Sequence, residues 1–230
     1  MITIRRSGRF AVVLLAVASA SSVRATVPDA ADRSIKQFLA QSVKQHPYRA
    51  VRHLEAENGD RKGWMDAMTE YSPSTGFRYH VIAEGGSDYI RSKVLKPVLD
   101  GEREVMVEGE TERSSLTPSN YAFQANGIDT DGLANVLLSP RRKEPALVSG
   151  MMALTPTDGA LVRLQGRLAK SPSIWLKNVD IVRTYARING NVVPVTLESK
   201  AQVRLFGEAT LRMTYVYSEI DGRPLAAAGR

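Results

Sequence analysis

The sequence predicts a mainly β fold of the α+β class, in which about ten antiparallel strands form one curled sheet and two helical regions pack on it. From Tyr48 onward, apolar and polar side chains alternate over most of the 230-residue chain, which is the period of a half-buried strand. Turn residues separate these runs, and strands do not alternate with helices as they do in a parallel sheet. A sheet of that many strands is too long to stay flat, so we expect it to curl around an apolar hollow.

The first element is an amphipathic helix that opens at Pro28-Asp29, where Asp29 can cap the first amides. Its apolar residues recur at helical spacing and form one stripe, made of Ile35, Phe38, Leu39 and Val43. We expect this helix to end at His46-Pro47, because the residue before a proline is pushed out of the α region.

A three-stranded meander follows, over residues 48–56, 63–71 and 76–84, and then a second helical stretch from Tyr89 to about Glu112. Pro97 and Gly101 should divide this stretch, because proline lacks an amide donor and glycine weakens a helix. The glutamates from Glu102 to Glu112 indicate a solvated helix face. The alternative, a site for a hard cation, lacks the Asp/Asn-Gly pattern of a calcium loop.

The remainder of the chain is predicted as strands that pair with their neighbours in sequence. They cover residues 121–129, 133–140, 147–154, 160–169, 174–188, 192–200 and 201–220, the last interrupted near Gly207. Asn189-Gly190 is the strongest turn signal among them, because both residues tolerate the positive φ that a two-residue hairpin needs.

Residues 1–25 have the pattern of a cleavable signal peptide. Three arginines precede an almost unbroken apolar or small run over 10–20, and Val23-Arg24-Ala25 offers small side chains for cleavage. The apolar run is too short to cross a bilayer, so it favours removal over anchoring; the alternative is a buried N-terminal helix. We therefore expect a periplasmic or secreted protein, soluble and without a transmembrane segment after cleavage.

We expect residues 26–222 to form a single domain and residues 223–230 a flexible tail. The sequence has no cysteine, which excludes disulfides, a thiol nucleophile and thiolate metal sites. Of the 31 lysines and arginines, 4 lie in the leader, which leaves 27 against 24 acids, a formal charge of +3. That excess does not support nucleic-acid binding, and Arg141-Arg142-Lys143 is interpreted as solvated loop charge.

No motif in the sequence indicates catalysis. The three histidines, His46, His53 and His80, lack the spacing of a metal pair, and the sequence has no phosphate-binding glycine loop and no Gly-x-Ser-x-Gly elbow. A catalytic group could still assemble in space. We predict no enzyme activity, no cofactor and no metal.

Four segments resemble exported proteins of the LolA-like superfamily of bacterial periplasmic lipoprotein- and lipid-binding proteins, in its outer-membrane lipoprotein-sorting-like subgroup. They are Asp88-Tyr89-Ile90-Arg91-Ser92-Lys93-Val94-Leu95, Leu116-Thr117-Pro118-Ser119-Asn120-Tyr121, Leu138-Ser139-Pro140-Arg141-Arg142-Lys143 and Ala169-Lys170-Ser171-Pro172-Ser173-Ile174-Trp175. The order of elements also resembles that superfamily. The arginine and lid-loop contacts of its lipoprotein carriers have no counterpart that can be placed on this sequence.

The resemblance implies an unclosed half-barrel, with helices over its concave face, that shields a lipid or the acyl chains of a lipidated protein from water. It also allows a membrane-bound partner protein for this chain. Alternation along the strands selects candidate residues for such a hydrophobic cavity: Met65, Phe77, Tyr79, Trp175, Val179, Ile181, Val195, Leu197, Leu211, Met213 and Tyr215. Each could equally pack against the helices. The alternative function is a protein-interaction or regulatory module of an envelope complex without lipid cargo, which predicts a filled hollow and an exposed apolar surface.

Overall fold

A computed structural model describes residues 27–41, 45–107 and 111–225. The predicted signal peptide, Val43 and the last five residues of the predicted tail lie outside these ranges. The helices are α1 (Val27–Ala40), α2 (Asp88–Ile90), a π-helical turn (Arg91–Leu95), α3 (Lys96–Val107) and α4 (Thr111–Ser114).

In the described part of the chain, eleven antiparallel strands form one open sheet. They are β1 (Tyr48–Asn58), β2 (Arg61–Ser72), β3 (Gly76–Gly86), β4 (Tyr121–Ile128), β5 (Ala134–Pro140), β6 (Val148–Leu154), β7 (Leu161–Leu168), β8 (Leu176–Ile188), β9 (Asn191–Val203), β10 (Gly207–Ile220) and β11 (Arg223–Pro224). The order across the sheet is β3-β2-β1-β10-β9-β8-β7-β6-β5-β4, with β11 paired to β10. The sheet does not close, so the predicted open half-barrel is confirmed.

The hairpin predicted at Asn189-Gly190 is present. Both residues have positive φ, 49° and 85°, and Ile188 pairs with Asn191 across the turn. This is the two-residue hairpin geometry whose twist matches that of the flanking strands.

Two closely paired glycines help the sheet to curl. Gly150 on β6 lies opposite Gly166 on β7. A Cβ at Gly150 would lie 2.1 Å from the carbonyl oxygen of Gln165, and one at Gly166 would lie 2.3 Å from that of Ser149. Only glycine allows the two backbones to approach so closely, which is how a sheet bends without losing its ladder.

Several predicted boundaries were wrong. Helix α1 ends at Ala40, well before His46, and α3 runs through Gly101 without a break. The second helical stretch is divided before Pro97, because in the π-helical turn the amide of Lys96 donates to the carbonyl oxygen of Arg91 and absorbs the interruption that proline imposes.

Two further differences concern the last strands. No break falls between Lys200 and Ala201, because β9 continues to Val203; the chain reverses at 204–206, next to Gly207 with a φ of 76°. Arg223–Pro224, which the sequence places in the tail, pairs with β10 through Glu219 and Ile220.

Candidate functional site

One row of directly paired residues crosses the concave face of the sheet from β4 to β2. Each member lies opposite the next: Ala125, Val136, Met152, Leu164, Arg183, Leu197, Met213, Leu54 and Met65. Eight of the nine are apolar. Arg183, in the middle of the row, is therefore the one charged side chain on this line of an apolar face.

The helices cover the two ends of this face and pack little on the strands between them. Helix α1 packs on β4, β5 and β6, whereas α2, the π-helical turn and α3 pack on β1, β2 and β3. Two separate apolar clusters result, one under each helical cover. Ile181 and Tyr185 of β8 pack against the first cluster, and Leu197 of β9 against the second, so the boundary between them follows β8 and β9. We call this strip the central groove.

Seven of the eleven predicted cavity residues join the second cluster. Met65, Phe77 and Met213 are buried in it, and Tyr79, Leu197, Leu211 and Tyr215 are partly buried against it. Of the others, Ile181 packs on the first cluster, Val179 is buried, and Val195 is half-buried. Trp175 is apart from all of them, because it precedes β8 in a loop and is 54% exposed.

Side chains of the second helical stretch fill the hollow over β1 to β3. Leu95 and Leu99 are fully buried there, and Val94 and Val98 pack beside them. This part of the concave face is thus closed by the protein's own side chains, whereas Ile181, Arg183, Tyr185 and Leu197 along the central groove are only half-buried.

A buried ion pair fastens α3 to the sheet. Arg52 of β1 is 1% exposed and binds Glu102 of α3 through two contacts, of 2.5 Å from Nη1 to Oε2 and 2.9 Å from Nη2 to Oε1. Tyr48 accepts a further hydrogen bond of 2.5 Å, and the rings of Tyr215 and Phe77 lie 4.6 and 4.9 Å from the guanidinium carbon. The sequence-based interpretation of Glu102 as part of a solvated face was wrong, because Glu102 pairs with the buried Arg52. Its partner is 50 residues away in sequence, so the local pattern gave no sign of the pair.

Arg183 lacks such a carboxylate partner among the described residues. It is half-buried, its Nε is sealed from solvent and has no hydrogen-bond partner, and no Asp or Glu oxygen of the described residues lies within 4.0 Å of its guanidinium. Burial by itself lowers the pKa of this guanidinium, but the neighbouring Tyr185, Tyr215 and Glu102 outweigh that effect and the net pKa is raised. Its positive charge is therefore permanent. The signal in the sequence was an arginine among the apolar residues that alternate along β8.

Burial also raises the pKa of the tyrosines around Arg52. The largest cause for Tyr48, Tyr215 and Tyr217 is loss of solvent around the phenol. For Tyr79 at the rim, burial and the hydrogen bond of 2.7 Å to Asp100 raise the pKa to about 12. These phenols are neutral at physiological pH. Tyr79 and Tyr217 donate to Asp100 and to the carbonyl oxygen of Pro194, whereas Tyr48 accepts from Arg52.

A cavity of about 460 Å³ lies where β1, β2, β9 and β10 meet at one end of the sheet. Ala56, Gly63, Ser199 and Leu211, paired across those strands, form its small and apolar part. Charged residues surround them, namely Glu55, Glu57, Lys62, Glu198, Lys200 and Arg212. Leu211 thus belongs both to this cavity and to the apolar face next to the central groove.

Two loops at one end of the sheet expose large apolar side chains, and we call them the apolar tip. Ile174 and Trp175 in the β7–β8 loop are 78% and 54% exposed, and Leu205 and Phe206 in the β9–β10 turn are 91% and 54% exposed. The loops are joined by a hydrogen bond of 2.9 Å from the amide of Arg204 to the carbonyl oxygen of Trp175. Leu205 has a φ of 70°, which is uncommon for a residue with a branched side chain.

The histidines do not converge. His53 contacts Asp66 at 2.6 Å and His46 contacts Asp221 at 2.9 Å, both at the surface. Within 27–41, 45–107 and 111–225, no three His, Asp or Glu side chains are placed to hold a metal ion. None of the helices in those ranges is both long and apolar enough to span a membrane.

No protein-family model matches the chain, and no curated protein matches it significantly. Among solved structures, it is similar to a LolA superfamily protein from Nitrosomonas europaea, with 8% identity and a TM-score of 0.43 over 85% of this chain and 94% of that one. A DUF1329 family protein from Desulfovibrio piger has 10% identity and a TM-score of 0.38, over 82% and 89%. A chain of the MucA/MucB complex of Pseudomonas aeruginosa has 11% identity and a TM-score of 0.23, over 86% and 100%.

The superfamily that the four sequence segments resemble is thus also present among the structures similar to this chain. All three TM-scores are below 0.5, so none of these likenesses assigns a function to it.

Proposed function

We propose that this chain is an exported, periplasmic binding protein that holds a hydrophobic ligand, a lipid or the acyl chains of a lipoprotein, in the central groove. The observation that carries the proposal is the half-buried apolar face of β8 and β9, which lies between the two helical covers. The signal peptide predicted over residues 1–25 supports export. We propose that this binding takes part in lipoprotein sorting to the outer membrane.

The length of the strands that line the groove suits an acyl chain. Strands β8 and β9 have 13 residues each, and at about 3.3 Å per residue they extend for roughly 40 Å. Each methylene group that leaves water contributes about 0.8 kcal/mol. A chain of a dozen or more methylenes therefore finds both enough length and enough apolar surface without any covalent chemistry.

The test is native mass spectrometry and lipid extraction on protein exported by an expressing host. We expect bound lipid at a stoichiometric level, reduced by Leu211→Asp on the concave side. Val216→Asp is the matched control, because Val216 lies on the same strand and is 63% exposed. A lipid-free mass, with no uptake when lipid is titrated in, would refute the proposal.

A protein-interaction module is the second candidate function, and two observations favour it. Leu95 and Leu99 fill the hollow over β1 to β3, as a scaffold without cargo requires. The apolar tip also exposes four large side chains close together, as interaction surfaces do. A photo-crosslinker at position 205 tests it, with Asp131 in the exposed β4–β5 turn as the control position. One discrete partner captured at 205 and not at 131 supports the module, and the absence of any adduct at 205 argues against it.

A further inference from the structure

We propose that Arg183 is an anion-binding residue in the central groove, and that the ligand is an amphiphile with a carboxylate or phosphate head and an apolar chain. This inference rests on the proposed binding function and names the class of ligand. Its basis is the place of one permanent positive charge in an otherwise apolar row of nine residues.

The charges inside the half-barrel do not balance among the described residues. Glu102 takes both Nη groups of Arg52 and so neutralises that guanidinium. Arg183 feels the attraction of Glu102 and of the phenols of Tyr185 and Tyr215, but no carboxylate of the described residues pairs with it directly, and its Nε is shielded from water without a partner. Withholding a charge from water without a directly paired counter-ion is costly, so an anion delivered by a ligand would be favoured here.

The surroundings of Arg183 explain why the ligand should also carry an apolar chain. Leu164 of β7 and Leu197 of β9 lie directly opposite it on the two neighbouring strands. Ile181, two residues earlier on β8, continues the apolar surface along the groove. A small inorganic anion would neutralise Arg183 but would leave this surface in contact with water. An amphiphile satisfies both requirements at once.

The guanidinium has the right geometry for either kind of head. Its planar set of N–H donors matches two oxygens of a carboxylate or a phosphate, and hydrogen bonds between charged partners are the strongest of their kind. A fatty acid and a phospholipid therefore share the chemistry that Arg183 recognises, and the competition experiment separates them from a free anion.

The experiment compares oleate with oleyl alcohol, which has the same chain and a neutral head, by displacement of a fluorescent fatty acid from the exported protein. We expect oleate to bind about tenfold more tightly or better. Arg183→Met should remove the preference for oleate and leave the affinity for oleyl alcohol unchanged. Arg183→Lys should keep part of the preference. Arg187→Met is the control, because Arg187 is an exposed residue of the same strand, 47% exposed and paired with Asp158.

The outcomes separate this inference from the proposed function. Equal affinity for oleate and oleyl alcohol in the unmodified protein would overturn the role of Arg183 and keep the acyl groove; this comparison needs no variant to fold. A preference for oleate that survives Arg183→Met would also overturn it. If inorganic phosphate displaces oleate at equal concentration, the site binds a free anion, and the proposal of an amphiphilic ligand is overturned. Binding of neither oleate nor oleyl alcohol would refute the proposed function itself.

Discussion

The ion pair between Arg52 and Glu102 should contribute far more to stability than any surface pair of similar geometry. Glu102→Gln keeps the shape of the side chain but leaves the charge of Arg52, 1% exposed, without its counter-ion. Loss of one partner of a buried pair typically costs 3–5 kcal/mol. Because the Glu102 side chain is 27% exposed, we expect the lower end, about 3 kcal/mol of unfolding free energy.

The chain offers a matched control for this prediction. Arg167 and Asp180 form a two-contact pair of 2.8 and 3.0 Å, but their side chains are 56% and 51% exposed. Asp180→Asn should therefore cost less than about 1 kcal/mol. Urea unfolding at pH 7, followed by circular dichroism, measures both variants.

The double variant Arg52→Met with Glu102→Gln sharpens the test. It removes the stranded charge and should recover part of the stability that Glu102→Gln loses, because a neutral side chain of similar length needs no counter-ion. If Glu102→Gln and Asp180→Asn cost the same, or if the double variant is less stable than Glu102→Gln, the reasoning from burial is refuted.

Three further predictions concern the sheet, the tyrosines and the apolar tip. Gly150→Ala should destabilise the fold by about 1–3 kcal/mol, because its Cβ would lie 2.1 Å from the carbonyl oxygen of Gln165; urea unfolding checks this, and an unchanged midpoint would contradict it. The pKa of Tyr79 is raised to about 12 from 10.0, so between these values the phenol stays neutral in the folded state and ionises in the unfolded chain; its contribution to stability is complete below pH 10 and is lost as the pH rises towards 12. Absorbance at 295 nm follows the ionisation and thermal melting follows the stability. A stability that is constant across this window would argue against the prediction. Leu205→Gly should leave the melting temperature unchanged or raise it, since Leu205 is 91% exposed at a φ of 70°; a marked decrease would show that its side chain packs.

Local chemistry made much of the fold predictable. The period-2 pattern located the long strands to within a few residues, apart from the start of β10, because each strand has one face on the apolar interior. Asn189-Gly190 fixed a hairpin by its own backbone preferences. The pattern of apolar residues does not show which backbone hydrogen bonds form. It therefore missed the division before Pro97, which depends on the hydrogen bonds of the π-helical turn.

Burial over the hollow was less predictable than the strands. Alternation placed Met65, Phe77 and Met213 on the inner face, and the structure buries them together. The same pattern did not show that Leu95 and Leu99 descend onto that face, because how deeply a helix packs depends on contacts with three strands at once. Trp175 left the predicted set because β8 begins at Leu176, two residues later than predicted, and its side chain lies in a loop.

The sequence by itself determined the strands, the first helix, the principal turn and which side chains share a face, since each of these depends on neighbours within a few residues. Only the tertiary structure decided which charges meet. Arg52 and Glu102 are 50 residues apart and pair because α3 lies across β1. Arg183 occupies the middle of an apolar row only after eight separate strand pairings have aligned it, and its lack of a carboxylate partner among the described residues is a property of that packed arrangement.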